Sequence, residues 1–346
     1  MASALSPLPL VVEVTRGPLV ESRHTGILAV SDSHGRLAAA FGDAERPVFP
    51  RSSAKIIQAL PLVESGAADA LGLSVEELAL AGASHNGEPA HVATALAMLR
   101  RAGLDAGALE CGCQWPERGS DVAALNRAGE KPTALHNNCS GKHAGFLCVA
   151  CHLGLPHAGY VHAAHPLQEI VTAALSQMTQ TPLDASVRGI DGCSIPTYAI
   201  PLTRLATAFA RLGTGIGLAP ARAAAAARLR KAAAAAPFMV AGTGRFCTAI
   251  GERFGERAYV KTGAEGVFCA ILPEAGFGVA LKIDDGGTRA SEAIMAAVLE
   301  RYAARDEAER TFLQRWSRRP LTNRRDIVVG EVRVAAETRA ALGLQP

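Results

Sequence analysis

Lysine is scarce in this sequence. Its 346 residues include 35 basic side chains, of which six are lysine and 29 are arginine. Arginine keeps its proton in proteins, whereas a buried lysine can lose its proton and act as a base. Because this chain uses arginine for most of its cations, each position that has lysine instead is a candidate for a catalytic or metal-binding role. Three of the six, Lys55, Lys142 and Lys261, lie within motif-like stretches.

Other features are also missing, and each absence excludes a class of protein. No apolar run approaches the ~20 residues that span a bilayer, so we predict no membrane segment. The net charge of +3 is too small to predict nucleic-acid binding. No basic segment precedes the first short apolar run, so we expect no signal peptide and a cytoplasmic location. No glycine-rich phosphate loop is present either.

What remains is the composition of a globular protein. Hydrophobic residues make up 49% and charged residues 19% of the chain, which excludes disorder. A chain of this length can bury a large core in one compound domain or two. We expect its eight cysteines to be mostly reduced thiols, with a few as metal ligands.

The order of the predicted elements favours an α+β fold. Strand patterns cluster near both ends of the chain, and helical patterns lie between them. We therefore expect one mixed, mainly antiparallel sheet built from both chain ends, with helices packed on it and a helical region inserted. The predicted division assigns residues 1–50 and 257–346 to the sheet region and residues 51–256 to the helical region, with the active site between them.

The stretch Arg51-Ser52-Ser53-Ala54-Lys55 is the first candidate site. Ser52 can cap a helix, and side chains three residues apart share a helix face. A neutral lysine amine beside a serine can take the hydroxyl proton and so create a nucleophile. The alternative is a capped helix with a solvated lysine, and spacing alone favours that alternative.

Two further motifs follow in the order typical of serine β-lactamases and penicillin-binding proteins. The S-x-x-K motif of Ser52 and Lys55 is followed by Ser84-His85-Asn86, in place of S-D-N, and by Lys261-Thr262-Gly263, a K-T-G motif. Acyl transfer needs a serine, a base beside it, a hydroxyl–lysine pair that moves protons, and donors for an oxyanion. The alternatives are a turn serine for Ser84 and an edge-strand charge for Lys261.

Two stretches have no place in that pattern, Asn138-Cys139-Ser140-Gly141-Lys142-His143 and Asp191-Gly192-Cys193-Ser194-Ile195-Pro196-Thr197. Together with the earlier motifs and Val240-Ala241-Gly242-Thr243-Gly244-Arg245, they resemble the asparaginase II family of the Rhizobium etli type. The resemblance spans residues 8–286 of this chain. It implies an L-asparagine amidohydrolase with a serine β-lactamase-like fold, usually a homodimer.

The resemblance also implies a catalytic set of two serine–lysine pairs, Ser52 with Lys55 and Ser84 with Lys261. We predict that Ser52 attacks the side-chain amide of asparagine and that Lys55 takes its proton. Ser84 and Lys261 then relay a proton to the departing ammonia, and water cleaves the acyl-enzyme. The predicted substrate-binding residues are Arg51, His85 and Asp191. Asp191 is the candidate partner of the substrate's α-ammonium group, with a turn-forming role as the alternative.

A metal site is the last implication of the resemblance. It places a metal, typically zinc, at Cys139, Lys142 and Cys193. Thiolates are ordinary zinc ligands, but lysine is an unusual ligand and must be deprotonated to bind. From spacing alone, the two cysteines are as well explained as buried thiols.

Two other functions fit parts of the sequence. A β-lactamase-like or penicillin-interacting hydrolase would share the serine–lysine chemistry, although the two cysteine-containing stretches speak against it. A zinc-stabilised amino-acid binding protein would share the metal site but would have no need of two serine–lysine pairs.

Overall fold

A computed structural model describes residues 4–345 of the chain. Contacts divide the chain into two compact units. The sheet unit holds the residues up to 50, 200–217 and those from 260 on, and the helical unit holds residues 51–199 and 218–259. This division differs from the sequence-based one mainly at residues 200–217, which were expected in the helical region and group with the sheet.

The strands lie mainly at the two ends of the chain. In chain order they are β1 Ala4–Ser6, β2 Leu10–Arg16, β3 Leu19–Asp32, β4 Leu37–Phe41, β5 Pro47–Val48, β6 Arg188–Ile190, β7 Pro196–Tyr198, β8 Ile200–Pro201, β9 Tyr259–Thr262, β10 Val267–Leu272, β11 Phe277–Ile283, β12 Arg318–Thr322 and β13 Val328–Val334.

The helices are concentrated between the two groups of strands. They are α1 Lys55–Gln58, α2 Leu60–Glu64, α3 Ala67–Ala70, α4 Val75–Ala81, α5 Pro89–Arg101, α6 Gly119–Ala128, α7 Ser140–His152, α8 Pro166–Thr179, α9 Leu202–Thr214, α10 Pro220–Ala235, α11 Pro237–Ala241, α12 Phe246–Phe254, α13 Thr288–Tyr302, α14 Glu307–Ser317 and α15 Ala336–Ala341. Within the described part of the chain, no helix combines the length and apolarity needed to cross a membrane.

One large sheet organises the sheet unit. Its strand order is β12-β13-β2-β3-β11-β10-β9, with β4 paired to β3 and β1 paired to β4. The pairs β2–β3, β3–β11 and β10–β11 are antiparallel, whereas β1 and β4 are parallel. Strands from both chain ends are therefore neighbours in one mainly antiparallel sheet, and the predicted α+β class is confirmed.

Helix α9 joins the sheet unit because it packs directly on the sheet. A Cβ atom added at Gly278 of β11 would lie 2.1 Å from Ala206 O and 2.2 Å from Ala210 N of α9. Only a residue without a side chain permits backbones to approach this closely. The strand and the helix are distant in sequence, so no local pattern reveals this contact.

Helix α7 is the centre of the helical unit. Every residue from 140 to 150 is buried. A Cβ atom at Gly141 would lie 2.4 Å from Leu80 Cγ and 2.5 Å from Leu80 O of α4. This glycine lets the first turn of α7 approach the end of α4. The start of α7 also lies beside the segment that follows α4 and carries Ser84, since Ser140 Oγ is 3.0 Å from His85 Nε2.

Candidate active site

The stretch that carries Ser52 is a short turn rather than the start of a capped helix. Residues Arg51–Ala54 form a 3-10 turn, and α1 begins at Lys55. Its N-cap is Ala54 without a side-chain hydrogen bond, so the predicted capping role of Ser52 is wrong. Arg51, the first residue of this turn, has a φ of 49°, in the left-handed region. Ser52 therefore lies inside the turn and not at the N-cap of a helix. Side chains three apart nearly eclipse in such a turn, so Ser52 and Lys55 still project from one side.

Lys55 is fully buried, with 0% exposure. Its Nζ donates hydrogen bonds to Ala83 O at 2.7 Å, Ser84 Oγ at 2.8 Å and Asn138 O at 3.3 Å. Burial lowers the pKa of Lys55, although the nearby Cys139 thiol opposes that effect. Among the described residues no hydrogen bond joins Lys55 to Ser52. The serine in direct contact with this amine is Ser84.

His85 is held on both ring nitrogens. It has 0% exposure, its Nδ1 accepts a hydrogen bond from Gly87 N at 3.1 Å, and its Nε2 lies 3.0 Å from Ser140 Oγ. An N–H group can only donate, so Nδ1 carries no proton and Nε2–H donates to Ser140. The predicted substrate contact is not supported by this arrangement, in which His85 fixes the backbone beside Ser84.

The three predicted metal ligands converge in the helical unit. Lys142 Nζ lies 3.0 Å from Cys193 Sγ, and the thiols of Cys193 and Cys139 are hydrogen-bonded. All three residues are buried. The hydrogen bond between the two thiols lowers the pKa of Cys139 and raises that of Cys193, and Cys139 Sγ also lies 2.9 Å from Asn138 Oδ1. Burial disfavours charge on Lys142, but Cys193 and Cys139 raise its pKa above the ordinary value.

The chemistry of this donor set fits zinc. The Cys139 and Cys193 thiols and the Lys142 amine are joined by hydrogen bonds in a buried site. A divalent cation can replace the protons of such groups. Within residues 4–345 no group of three or more His, Cys, Asp or Glu side chains is placed to bind a metal ion. A zinc site here therefore depends on the lysine as its third ligand.

Two predicted substrate-binding residues form an ion pair. Arg51 Nε donates to Asp191 Oδ1 at 2.6 Å, and the side chains are 26% and 11% exposed. Burial raises the pKa of Asp191, but Lys142 and Arg51 outweigh burial and lower it. The carboxylate is therefore ionised, on the same loop as Cys193.

Lys261 lies in the sheet unit, whereas the other predicted site residues lie in the helical unit. It sits on β9 with 1% exposure, and its Nζ donates to Thr262 O at 2.9 Å. Strand β9 is last in the strand order of the sheet, so Lys261 does lie on an edge strand, but its side chain is buried. Its pairing with Ser84 stays a prediction.

Sequence reasoning missed Glu88, which follows the Ser84 motif. It is 4% exposed and accepts hydrogen bonds from Thr243 N at 2.7 Å, Thr243 Oγ1 at 2.8 Å, Arg118 Nη1 at 2.7 Å and Asn86 Nδ2 at 3.1 Å. Burial raises the pKa of Glu88, but hydrogen bonds from Thr243 and Arg118 outweigh burial and lower it from 4.5 to about 2. A buried acid is unusual unless paired, but Arg118 and Thr243 are far away in sequence and cannot be inferred from it.

The low pKa of Glu88 predicts a pH-dependent contribution to stability. A carboxyl with a folded pKa of about 2 and an ordinary value of 4.5 stabilises the fold above pH 4.5 and loses that contribution as pH falls toward 2. The shift corresponds to ~3 kcal/mol. We expect Glu88→Gln to lower the free energy of unfolding by about this amount at pH 7, and the difference to shrink below pH 4.5. Urea unfolding of both proteins from pH 7 to pH 3 measures it, and a difference independent of pH would contradict it.

Comparison with known proteins yields one family and several distant structures. The family model described as L-asparaginase II matches residues 12–334. A β-lactamase from Mycobacterium bovis aligns at 15% identity over 81% of this chain and 95% of its own, with a TM-score of 0.39. A simvastatin synthase mutant from Aspergillus terreus aligns at 11% identity over 75% of this chain and 86% of its own, with a TM-score of 0.38.

At these scores the two structural likenesses support no argument about this chain. The search of curated proteins finds no match. The family match is different in kind, because it covers nearly the whole chain and all ten residues that the sequence singled out. The chain belongs to the L-asparaginase II family.

Proposed function

We propose that this protein hydrolyses L-asparagine to L-aspartate and ammonia through a serine acyl-enzyme. The observation that carries the proposal is the buried Lys55 amine, 2.8 Å from the Ser84 hydroxyl and lowered in pKa by burial. Once it has lost one of its three protons, a desolvated amine of this kind has a lone pair and can act as a general base. Its contact with a hydroxyl gives it a partner for proton transfer. Membership of the family points to a linear amide as the substrate.

The proposed reaction has two halves. Ser52 attacks the side-chain carbonyl of asparagine and its proton passes to Lys55. Lys55 hands a proton through Ser84 to the amide nitrogen as the carbon–nitrogen bond breaks, and ammonia leaves. Water then attacks the ester on Ser52, with the Lys55–Ser84 pair again moving the proton. Lys261 is proposed as a further partner of Ser84.

Asp191 and Arg51 are proposed to recognise the substrate's α-substituents. The Asp191 carboxylate can bind the α-ammonium, and the Arg51 guanidinium can bind the α-carboxylate, since each group is complementary in charge. In the present structure the two side chains neutralise each other at 2.6 Å. Binding of a zwitterion would exchange one internal ion pair for two with the substrate.

Zinc is proposed to be held by Cys139, Lys142 and Cys193. When bound, it supplies a positive charge that orients the substrate. Purified without chelator, the wild-type protein is expected to hold about one equivalent of zinc, because structural and catalytic sites bind zinc tightly.

Variants test whether these three side chains are the ligands. We expect Cys193→Ser and Lys142→Met to retain less than about a tenth of an equivalent of zinc after dialysis. Cys113 is an exposed thiol outside the set, so Cys113→Ser is the matched control and should keep the wild-type content. Equal zinc in all four proteins, measured by atomic emission, would contradict the assignment.

Ammonia release from asparagine and from glutamine, together with the colour change of nitrocefin when its ring opens, tests the function itself. The proposal predicts turnover of asparagine, slower turnover of glutamine, whose extra methylene shifts binding by ~1–3 kcal/mol, and no opening of the nitrocefin ring. Rapid nitrocefin hydrolysis would favour a penicillin-interacting hydrolase. Asparagine that binds in a calorimeter and is never consumed would favour an amino-acid binding protein.

A further inference from the structure

The backbone that carries Ser84 is bound to the segment of residues 240–245. Ser84 N donates to Val240 O at 3.0 Å, and Asn86 N donates to Ala241 O at 2.9 Å. These two bonds resemble a short strand pairing. The position of the Ser84 hydroxyl therefore depends on where residues 240–245 lie.

Side chains reinforce this pairing at its far end. Asn86 Nδ2 donates to Thr243 O at 3.1 Å, and Asn86 Oδ1 accepts from Arg245 Nη1 at 2.9 Å. Gly242 has a φ of +108°, and a Cβ atom there would lie 2.5 Å from Glu88 Oε1. The loop is thus shaped around the Glu88 carboxylate, with no space for a side chain at Gly242.

The Glu88 carboxylate accepts hydrogen bonds from both of these elements. Each group that it contacts in the loop and in its own segment is a hydrogen-bond donor: the amide and hydroxyl of Thr243 and the side-chain amide of Asn86. An ionised carboxylate offers about four acceptor sites and no donor, so it matches this set. A neutral amide would direct an N–H₂ group at one of the donors.

We propose that Glu88 is a positioning residue for Ser84. Its carboxylate clamps residues 240–245 onto the Ser84–Asn86 backbone, and so holds the Ser84 hydroxyl against Lys55. Glu88 does not touch the reacting atoms. The inference rests on the proposed function, in which Ser84 moves the proton, and it adds a residue that no active-site motif of the sequence contains.

The chain supplies a matched control for the test. Glu77 is also a buried carboxylate paired with a half-exposed arginine: Arg101 Nε donates to Glu77 Oε1 at 2.9 Å, and the side chains are 43% and 4% exposed. The corresponding exposures for Arg118 and Glu88 are 40% and 6%. Glu77 bonds to its own helix start at Ser74 and not to residues 240–245. Both Glu→Gln changes should therefore lower the stability of the fold, but only Glu88→Gln should alter the position of Ser84.

We expect Glu88→Gln to lower kcat for asparagine about tenfold to a hundredfold with little change in KM, because small misplacements of a catalytic group cost rate and not ground-state binding. Glu77→Gln should keep kcat within about twofold, since its partners are not on the Ser84 backbone. Thr243→Val should lower kcat in the same direction, and Thr243→Ser, which keeps the hydroxyl, should restore it.

Hydrogen–deuterium exchange of the full-length variants provides a readout that needs no turnover. Glu88→Gln should speed exchange of the Ser84 and Asn86 amides, and Glu77→Gln should leave both protected. If the wild-type protein hydrolyses no amide, the proposed function fails, and exchange alone still decides whether the clamp exists. Equal kcat in the two variants, or unchanged exchange in Glu88→Gln, would overturn the positioning role.

Discussion

Replacing Lys55 by methionine is expected to lower kcat for asparagine by about a thousandfold or more. The serine and its base act as one unit, so losing the base removes the rate enhancement of the whole unit. The variant should nevertheless fold. Methionine fills a similar volume and removes the cost of burying an amine. It also removes the hydrogen bond to Ala83 O, at ~1–3 kcal/mol, whereas Asn138 O still accepts from His85 N at 3.3 Å.

The matched control for this substitution is Lys231→Met. Lys231 lies exposed on α10, so its loss should leave kcat and the melting temperature close to wild type. Steady-state ammonia release and thermal unfolding of the three proteins provide the comparison. Lys55→Met with more than about a tenth of wild-type kcat would remove Lys55 as the base.

Ser52→Ala is expected to abolish formation of the acyl-enzyme. Because the nucleophile is lost, ammonia release should fall by about a thousandfold or more, and no covalent adduct should form with asparagine. Ser84→Ala should also lose activity, because Lys55 then has no hydroxyl through which to pass the proton. It should still acquire an adduct slowly, since Ser52 remains.

Intact-mass spectrometry of acid-quenched mixtures separates these outcomes. Wild type and Ser84→Ala should each show an aspartyl adduct that maps to Ser52. Ser120→Ala changes an exposed serine of α6 and should behave as wild type. An adduct on Ser84 in the Ser52→Ala protein would make Ser84 the nucleophile and Ser52 the proton relay. The direct contact between Lys55 and Ser84 is the reason to test this alternative.

Local patterns predicted much of the fold. The helical periodicity of residues 89–101, with a proline in the first turn, predicts a helix with the observed bounds of α5, and the strand pattern of residues 277–283 predicts β11. The sequence predicts the start of the helix after the metal-site motif at about His143. Helix α7 instead begins at Ser140, within that motif, and its Gly141 packs closely on α4. The contact of α9 with the sheet is set by long-range packing, which no window of sequence contains.

The candidate site was predictable in its residues but not in its pairings. The motifs identified Lys55 and Ser84, yet spacing joined Lys55 to Ser52, because side chains three apart share a helix face. The observed partner comes from the chain that follows α4, brought there by tertiary packing. Glu88 carried no motif signal because its partners, Arg118 and Thr243, are far along the chain. The expected homodimer and cytoplasmic location stay predictions.

The most direct measurement of the central claim is parallel assay of ammonia and aspartate from L-asparagine, using zinc-replete wild type and Lys55→Met at equal concentration. If the buried Lys55 amine is the base, the wild type should release equal amounts of ammonia and aspartate, and kcat of Lys55→Met should be lower by about a thousandfold. Ammonia released by Lys55→Met at the wild-type rate, or none released by the zinc-replete wild type, would contradict it.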